Sequence, residues 1–188
     1  FSTLVLYDVN FRLLQGDLAK SWSVSSDGLR YTFRLRESVT WHDGKPFTSK
    51  DVKFTLDIAR NPEVASSFLA KLEMVKSVET PNATTVVVNL SRPNAALLDA
   101  LTQMMILPEH HLGNVALKDL RTSQWWSTNP VGTGLFKWSK YVPDQYVELV
   151  AFDQYWRGRP KLDKLVNRYF KESGSAVLAL RSGDIQFT

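Results

Sequence analysis

The sequence predicts an α+β fold, mixed α/β in the order of its elements, and three observations carry that reading. A run of strict period-two alternation, Arg30-Tyr31-Thr32-Phe33-Arg34-Leu35-Arg36, marks a half-buried strand. A capping side chain ahead of spaced apolar residues, as in Asn94 before Leu97, Leu98 and Leu101, marks a helix. Segments of the two kinds alternate without a regular strand–helix–strand order, so a purely parallel sheet is not expected.

Taken in order, Trp22 and Val24 alternate with Ser21, Ser23 and Ser25, and Ser26-Asp27-Gly28 supplies a turn into the 30–36 strand. Tyr31, Phe33 and Leu35 share its inner face. Asp43-Gly44 and Pro46 mark the next turn, and His42 reads as part of it. The following segment is ambiguous. Val52, Phe54, Leu56 and Ile58 alternate like a strand, whereas Thr48 and Asp51 stand at capping-box spacing for a helix that Pro62 would end. Two strands follow across 73–90 around Pro81-Asn82, then a short helix at 94–103 with Asn94 as N-cap. The apolar run 104–107 stops at Pro108, and a soft boundary falls between residues 107 and 125. Strands at 135–141 and 146–152 meet across Pro143-Asp144, and a strand at 165–170 precedes a helix around 175–181 closed by Gly183. Residues 185–187 read as the start of another strand. There is no internal repeat.

Composition narrows the function classes. The 188 residues are 44% hydrophobic and 22% charged, ordinary for a folded chain. No apolar run approaches the length that crosses a bilayer. The chain opens Phe1-Ser2-Thr3 and reads as a mature or excised segment whose targeting signal lies outside it. It has no Cys, so thiolate chemistry and disulfides are excluded within it. The net charge of +4 is spread among interleaved acids, unlike the dense basic stripe of a nucleic-acid binder.

Catalytic signatures are missing as well. Gly132-Thr133-Gly134 has no Lys-Ser/Thr pair opening a helix after it, and reads as a tight backbone turn. No GxSxG elbow, HExxH or paired-carboxylate motif occurs. His110 and His111 are neighbours that diverge by about 100° on a helix and face opposite sides of a strand, so they read as surface residues with no metal. Six Trp, six Tyr and ten Phe are many for this length. Trp125-Trp126 in a polar stretch is read either as a carbohydrate-stacking surface or as loop anchoring.

Several blocks, in order, resemble the family 5 bacterial extracellular solute-binding proteins, the oligopeptide, dipeptide and nickel binders of ABC importers. They are Asp17-Leu18-Ala19-Lys20-Ser21-Trp22; Val39-Thr40-Trp41-His42-Asp43-Gly44-Lys45-Pro46-Phe47-Thr48 running into Asp51-Val52; Asn129-Pro130-Val131-Gly132-Thr133-Gly134; Tyr155-Trp156-Arg157-Gly158-Arg159-Pro160; and Ala179-Leu180-Arg181-Ser182-Gly183-Asp184-Ile185. The match covers essentially the whole chain. It implies a periplasmic-binding-protein type II-like fold in which residues 1–108 are the extra domain packed on lobe one, and 109–188 are part of lobe one. The N-terminal strand of that lobe and the second lobe are expected to lie outside the chain. The resemblance also tips the 51–60 segment to helix.

Its functional implication is non-catalytic binding of a short peptide or similar solute in the periplasm or another extracytoplasmic space. The solute is delivered to an ABC importer permease by a monomer without a cofactor, membrane-associated through the importer. The alternative is a secreted carbohydrate-binding or carbohydrate-active protein that uses its Trp residues. Ligand contact is implied for Phe68 with Ser66 and Ser67, in the loop after the 51–60 helix, and for Gln103, Met104 and Met105, where thioethers suit a permissive pocket. Phe68 stands where Tyr or Trp is common in the family, so its contact would be apolar only. Residues 1–3 would follow another cleft loop. No counterparts of the His and Arg of nickel-type members stand in these loops, which favours a peptide over a metal chelate.

Overall fold

The computed structural model describes residues 1–12 and 14–187. Two short strands that local pattern did not announce, β1 (Val5–Tyr7) and β2 (Leu14–Gly16), pair antiparallel at the start. The alternating segments then form a four-stranded antiparallel sheet from β3 (Ala19–Val24), β4 (Arg30–Leu35), β5 (Val75–Asn82) and β6 (Thr85–Leu90), in the order β3-β4-β6-β5. Tyr31, Phe33 and Leu35 are buried, and Phe33 lies opposite Val86 with Tyr31 opposite Val88. The period-two pattern therefore sets both the face and the register.

One turn differs from expectation. Pro81 and Asn82 belong to β5, and the chain reverses at 83–84, where Asn82 Oδ1 accepts the Thr84 N–H at 3.0 Å. Pro81 is tolerated because β5 is an edge strand, so its missing N–H breaks no ladder.

Helix α1 (Ser49–Ala59) resolves the ambiguous segment. Thr48 is its N-cap, and the capping box with Asp51 is closed. The strand-like alternation has a physical origin. Val52, Leu56 and Ala59 enter the main core, while Ile58 and Phe54 turn to a second apolar cluster with Val64, Leu112 and Leu120. A helix that buries two faces widens its apolar stripe, and alternation is what that looks like in sequence.

Asp51 is buried and does more than cap. One carboxylate oxygen accepts the Thr48 N–H at 2.8 Å, and the other accepts the Glu109 N–H at 3.1 Å. Burial pushes its pKa up, and these two backbone N–H groups pull it back only in part. One turn later, Thr55 Oγ1 donates to Asp51 O at 2.8 Å and accepts the Leu107 N–H at 2.9 Å. Helix α2 (Leu97–Gln103) starts three residues after Asn94, whose Oδ1 instead accepts the Ala96 N–H in a turn ahead of it. The one-turn helix α3 (Glu109–Leu112) then lies along α1. Packing thus runs across residue 108.

After another one-turn helix, α4 (Trp125–Thr128), come β7 (Phe136–Val142), β8 (Tyr146–Ala151) and β9 (Lys164–Arg168), an antiparallel sheet in that order. Asp144 takes φ +58° in the turn between β7 and β8. Helix α5 (Ser173–Ser182) ends at Gly183 with φ +83°, as a C-terminal glycine should. Residues 185–187 form no strand. The Ile185 N–H turns back to Ala179 O at 3.3 Å and so is not free for a ladder.

The second sheet meets the first part through the 155–157 turn. The guanidinium groups of Arg36 and Arg157 both lie over the Trp156 ring, 4.3 and 4.4 Å from its centroid. Arg157 also pairs with buried Asp17 at 3.2 Å, and Asp17 accepts the Thr3 N–H at 3.0 Å.

Asp51→Ala is expected to cost about 2–4 kcal/mol, because it removes a cap and strands a second N–H. Thr48→Ala should cost about 1 kcal/mol. Urea unfolding checks both, and equal losses would mean that the Glu109 bond contributes nothing.

Candidate functional site

Ala65, at φ +51°, turns the chain after the 3₁₀ turn Pro62–Val64 and presents residues 66–68. Ser66 Oγ accepts the Phe68 N–H at 3.2 Å, which fixes the loop locally, and Ser67 is exposed. The Phe68 ring is half-buried against the main core, with the Lys71 ammonium 5.4 Å from its centroid. Lys71 also donates to Gln103 Oε1 at 3.1 Å. One lysine therefore joins the two loop groups expected to face ligand.

The two methionines part company. Met104, extended at the end of α2, is only 2% exposed and packs in the main core, while Met105 is 56% exposed. Consecutive extended residues point to opposite sides, so this surface offers one thioether and not two. Local pattern gave no sign of Lys71, whose role appears only once α2 and the 66–72 segment are side by side.

His42 has a larger part than a turn residue. Its Nδ1 accepts the Gly132 N–H at 3.1 Å, its Nε2 lies 2.9 Å from Gly134 O, and its own N–H donates to Gly132 O at 2.9 Å. An Nδ1 that accepts and an Nε2 that donates define the neutral tautomer. Burial lowers the His42 pKa to about 4, although the Gly134 carbonyl opposes the shift. Gly132 and Gly134 are explained by closeness. A Cβ on Gly132 would stand 3.3 Å from His42 Cε1 and from Phe1 Cα, and one on Gly134 would stand 3.0 Å from Phe1 N. His42 and the two glycines stand in separate blocks of the sequence, Trp41-His42-Asp43-Gly44 and Gly132-Thr133-Gly134, and no local pattern linked the two.

His110 and His111 also depart from the reading of unconnected surface rings. Both Nε2 atoms reach Asp43 Oδ2, at 2.8 and 2.9 Å. The 100° divergence on α3 holds at the backbone, but long imidazole arms from one turn converge on a carboxylate brought up by the 43–44 turn. Burial raises the Asp43 pKa, but the two imidazole bonds and the Lys45 N–H outweigh it and hold it below the usual carboxylate range. His110 sits edge-on to Trp41 with centroids 5.9 Å apart, and His111 lies 6.2 Å from Trp125.

The tryptophan pair forms no flat platform. The Trp125 and Trp126 rings stand at 80° to each other, and Trp126 Nε1 is tied to Leu120 O at 2.6 Å. Trp125 packs against both apolar clusters, as an anchor does.

The model of the bacterial extracellular solute-binding proteins, family 5 Middle, matches residues 14–188. The chain belongs to that family. A putative ABC transporter peptide-binding protein of Brucella abortus is 53% identical over 188 residues, all of this chain and 36% of that protein. The oligopeptide-binding protein AppA of Bacillus subtilis is 34% identical over 171 residues, 90% of this chain and 32% of that one. The solved structure of AppA in complex with a nonapeptide superposes with a TM-score of 0.94 at 32% identity, covering 98% of this chain and 37% of that one. NikZ from Campylobacter jejuni in complex with Ni(L-His) gives 0.91 at 39%, covering 98% and 36%. The chain thus spans about a third of the length of these relatives. The mixed α/β class expected from the sequence agrees with these neighbours, as part of a type II periplasmic-binding-protein fold. Among the described residues no helix is long and apolar enough to cross a membrane.

The His42 pin has a pH consequence. With a folded pKa near 4 and an unfolded value of 6.5, the unfolded state binds the proton first. Stability from this group is intact above pH 6.5 and declines as pH falls towards 4. The loss is at most about 3 kcal/mol, and solvent screening over the exposed ring edge reduces it. Urea midpoints across that window should fall in the parent protein, and His42→Gln should flatten the slope. An identical slope in the variant would reject the assignment.

Proposed function

We propose that the protein carrying this chain binds a short peptide or similar solute outside the cytoplasm and hands it to an ABC importer permease, with no chemical step. The observation that carries this reading is family membership over residues 14–188, joined to a close fold match with a nonapeptide-bound structure. The protein works as a monomer in the periplasm or its equivalent, and meets the membrane through the importer. Residues 1–108 are assigned to the extra domain and 109–188 to part of lobe one, with α3 packed on α1 making their junction a shared surface.

Within the chain, Phe68, Ser67, Gln103 and Met105 are assigned to the ligand side, and Ser66 and Met104 to their support. Phe68 and Met105 offer apolar, adaptable contact, and Ser67 and Gln103 offer hydrogen bonds. Permissive apolar contact beside backbone-type polar groups suits peptides of varied side chain. The carbohydrate alternative finds no support in the crossed Trp125 and Trp126 rings.

Peptide libraries screened by thermal shift on the full-length protein are expected to raise its Tm by mass action. Phe68→Ala and Met105→Ala should each weaken the best peptide by about three- to tenfold, or about 1 kcal/mol of lost apolar contact. Calorimetry on residues 1–188 alone should give much weaker binding. Shifts by sugars only, or sugar hydrolysis, would overturn the reading.

A further inference from the structure

Asp43, His110 and His111 form a cluster that solute carriage does not use. We propose that these three side chains form a site for one divalent transition-metal ion of the zinc, nickel and copper group, separate from the loops assigned to the solute. Their ligating atoms all lie within 4.8 Å of one another. Metal–nitrogen and metal–oxygen bonds in such sites are about 2.0–2.2 Å, so ligands on adjacent coordination positions stand about 3 Å apart. The 2.8 and 2.9 Å separations between Asp43 Oδ2 and the two Nε2 atoms match that edge.

The donor set selects the ion. Two imidazoles and one carboxylate suit borderline divalent metals, whereas calcium and magnesium require a shell of oxygens. Three protein ligands leave at least one coordination position to water, as in open zinc sites. The side chains of Asp43, His110 and His111 are 26%, 18% and 32% exposed, which gives an ion a path in from solvent. As the cluster stands, both Nε2–H groups point at one carboxylate oxygen. An ion takes the place of those two hydrogens: a neutral imidazole shifts its Nε2 proton to Nδ1, and a doubly protonated one releases it to solvent.

The geometry is held in advance. The Lys45 N–H fixes Asp43 at 3.2 Å, the Glu109 N–H bond to Asp51 fixes the start of α3, and Trp41 and Trp125 back the two rings. A preformed site loses little freedom on binding.

The test uses untagged full-length protein, stripped by chelator and titrated with Zn²⁺ or Ni²⁺ by calorimetry. One site should be present that His111→Gln and Asp43→Asn each weaken about tenfold or more. Ni²⁺ should quench part of the tryptophan emission in the parent and not in the variants, through Trp41 and Trp125. Matching far-UV circular dichroism and Tm between parent and variants establishes that they are folded. His111→Gln, altering an exposed ring, is the safer of the two. Peptide binding should persist with the ion bound, which separates this site from a chelate held where the solute sits. No binding at millimolar Zn²⁺ and Ni²⁺, unchanged affinity in both variants, or displacement of the ion by peptide would each overturn the proposal.

Discussion

The carboxylate of Asp51 is the contact on which the central arrangement depends. A buried acid is costly unless its oxygens are occupied, and here each oxygen has a backbone N–H, one from Thr48 and one from Glu109. The first bond starts α1, and the second brings a chain segment more than fifty residues away to the same helix. Thr55 repeats the device a turn later with Leu107. Because both contacts are to backbone, they fix the path of residues 107–109 whatever side chains follow. The histidines of α3 and the apolar cluster of Leu112 and Leu120 inherit their positions from that path.

A different balance rules the C-terminal part. Val177, Leu178 and Leu180 on α5 are 49%, 66% and 40% exposed, and Leu162, Val166 and Tyr169 are exposed beside the small sheet. The four-stranded sheet, by contrast, buries Phe33, Val86 and Val88 almost completely. Apolar surface of this extent is normally covered in a folded protein. The chain spans about a third of its relatives' length, and among the described residues the exposed apolar side chains are densest on α5 and beside the small sheet.

Much of the fold was legible because its signals are local. Alternation placed β4, Pro143-Asp144 placed the second hairpin, and Gly183 closed α5. The α1 segment was ambiguous because its two buried faces imitate a strand, and only ordered family blocks decided it. The errors have one cause. The turn at 83–84, the late start of α2 and the irregular 185–187 segment each depend on where a hydrogen-bond partner lies, which spacing does not encode. The site was less legible still. Phe68 and Gln103 could be singled out by resemblance, but Lys71 joins them only in three dimensions. The histidine pair looked divergent along the chain, and its convergence on Asp43 needed a turn more than sixty residues earlier.

The stacked arrangement at Trp156 gives the junction between the two sheets an unusual response to its surroundings. Two guanidinium groups would repel across open solvent, but both lie over one indole ring, whose π-system attracts each cation. Arg36 and Arg157 thus hold β4 and the 155–157 turn together through a shared neutral ring. Such contacts act at short range and include dispersion, so added electrolyte weakens them less than it weakens exposed ion pairs such as Lys20–Glu37. Ionic strength is the variable that separates the two kinds of contact. Here a joint between sheets rests on flat surfaces in contact and on a pair with the buried Asp17, and is therefore largely indifferent to that variable.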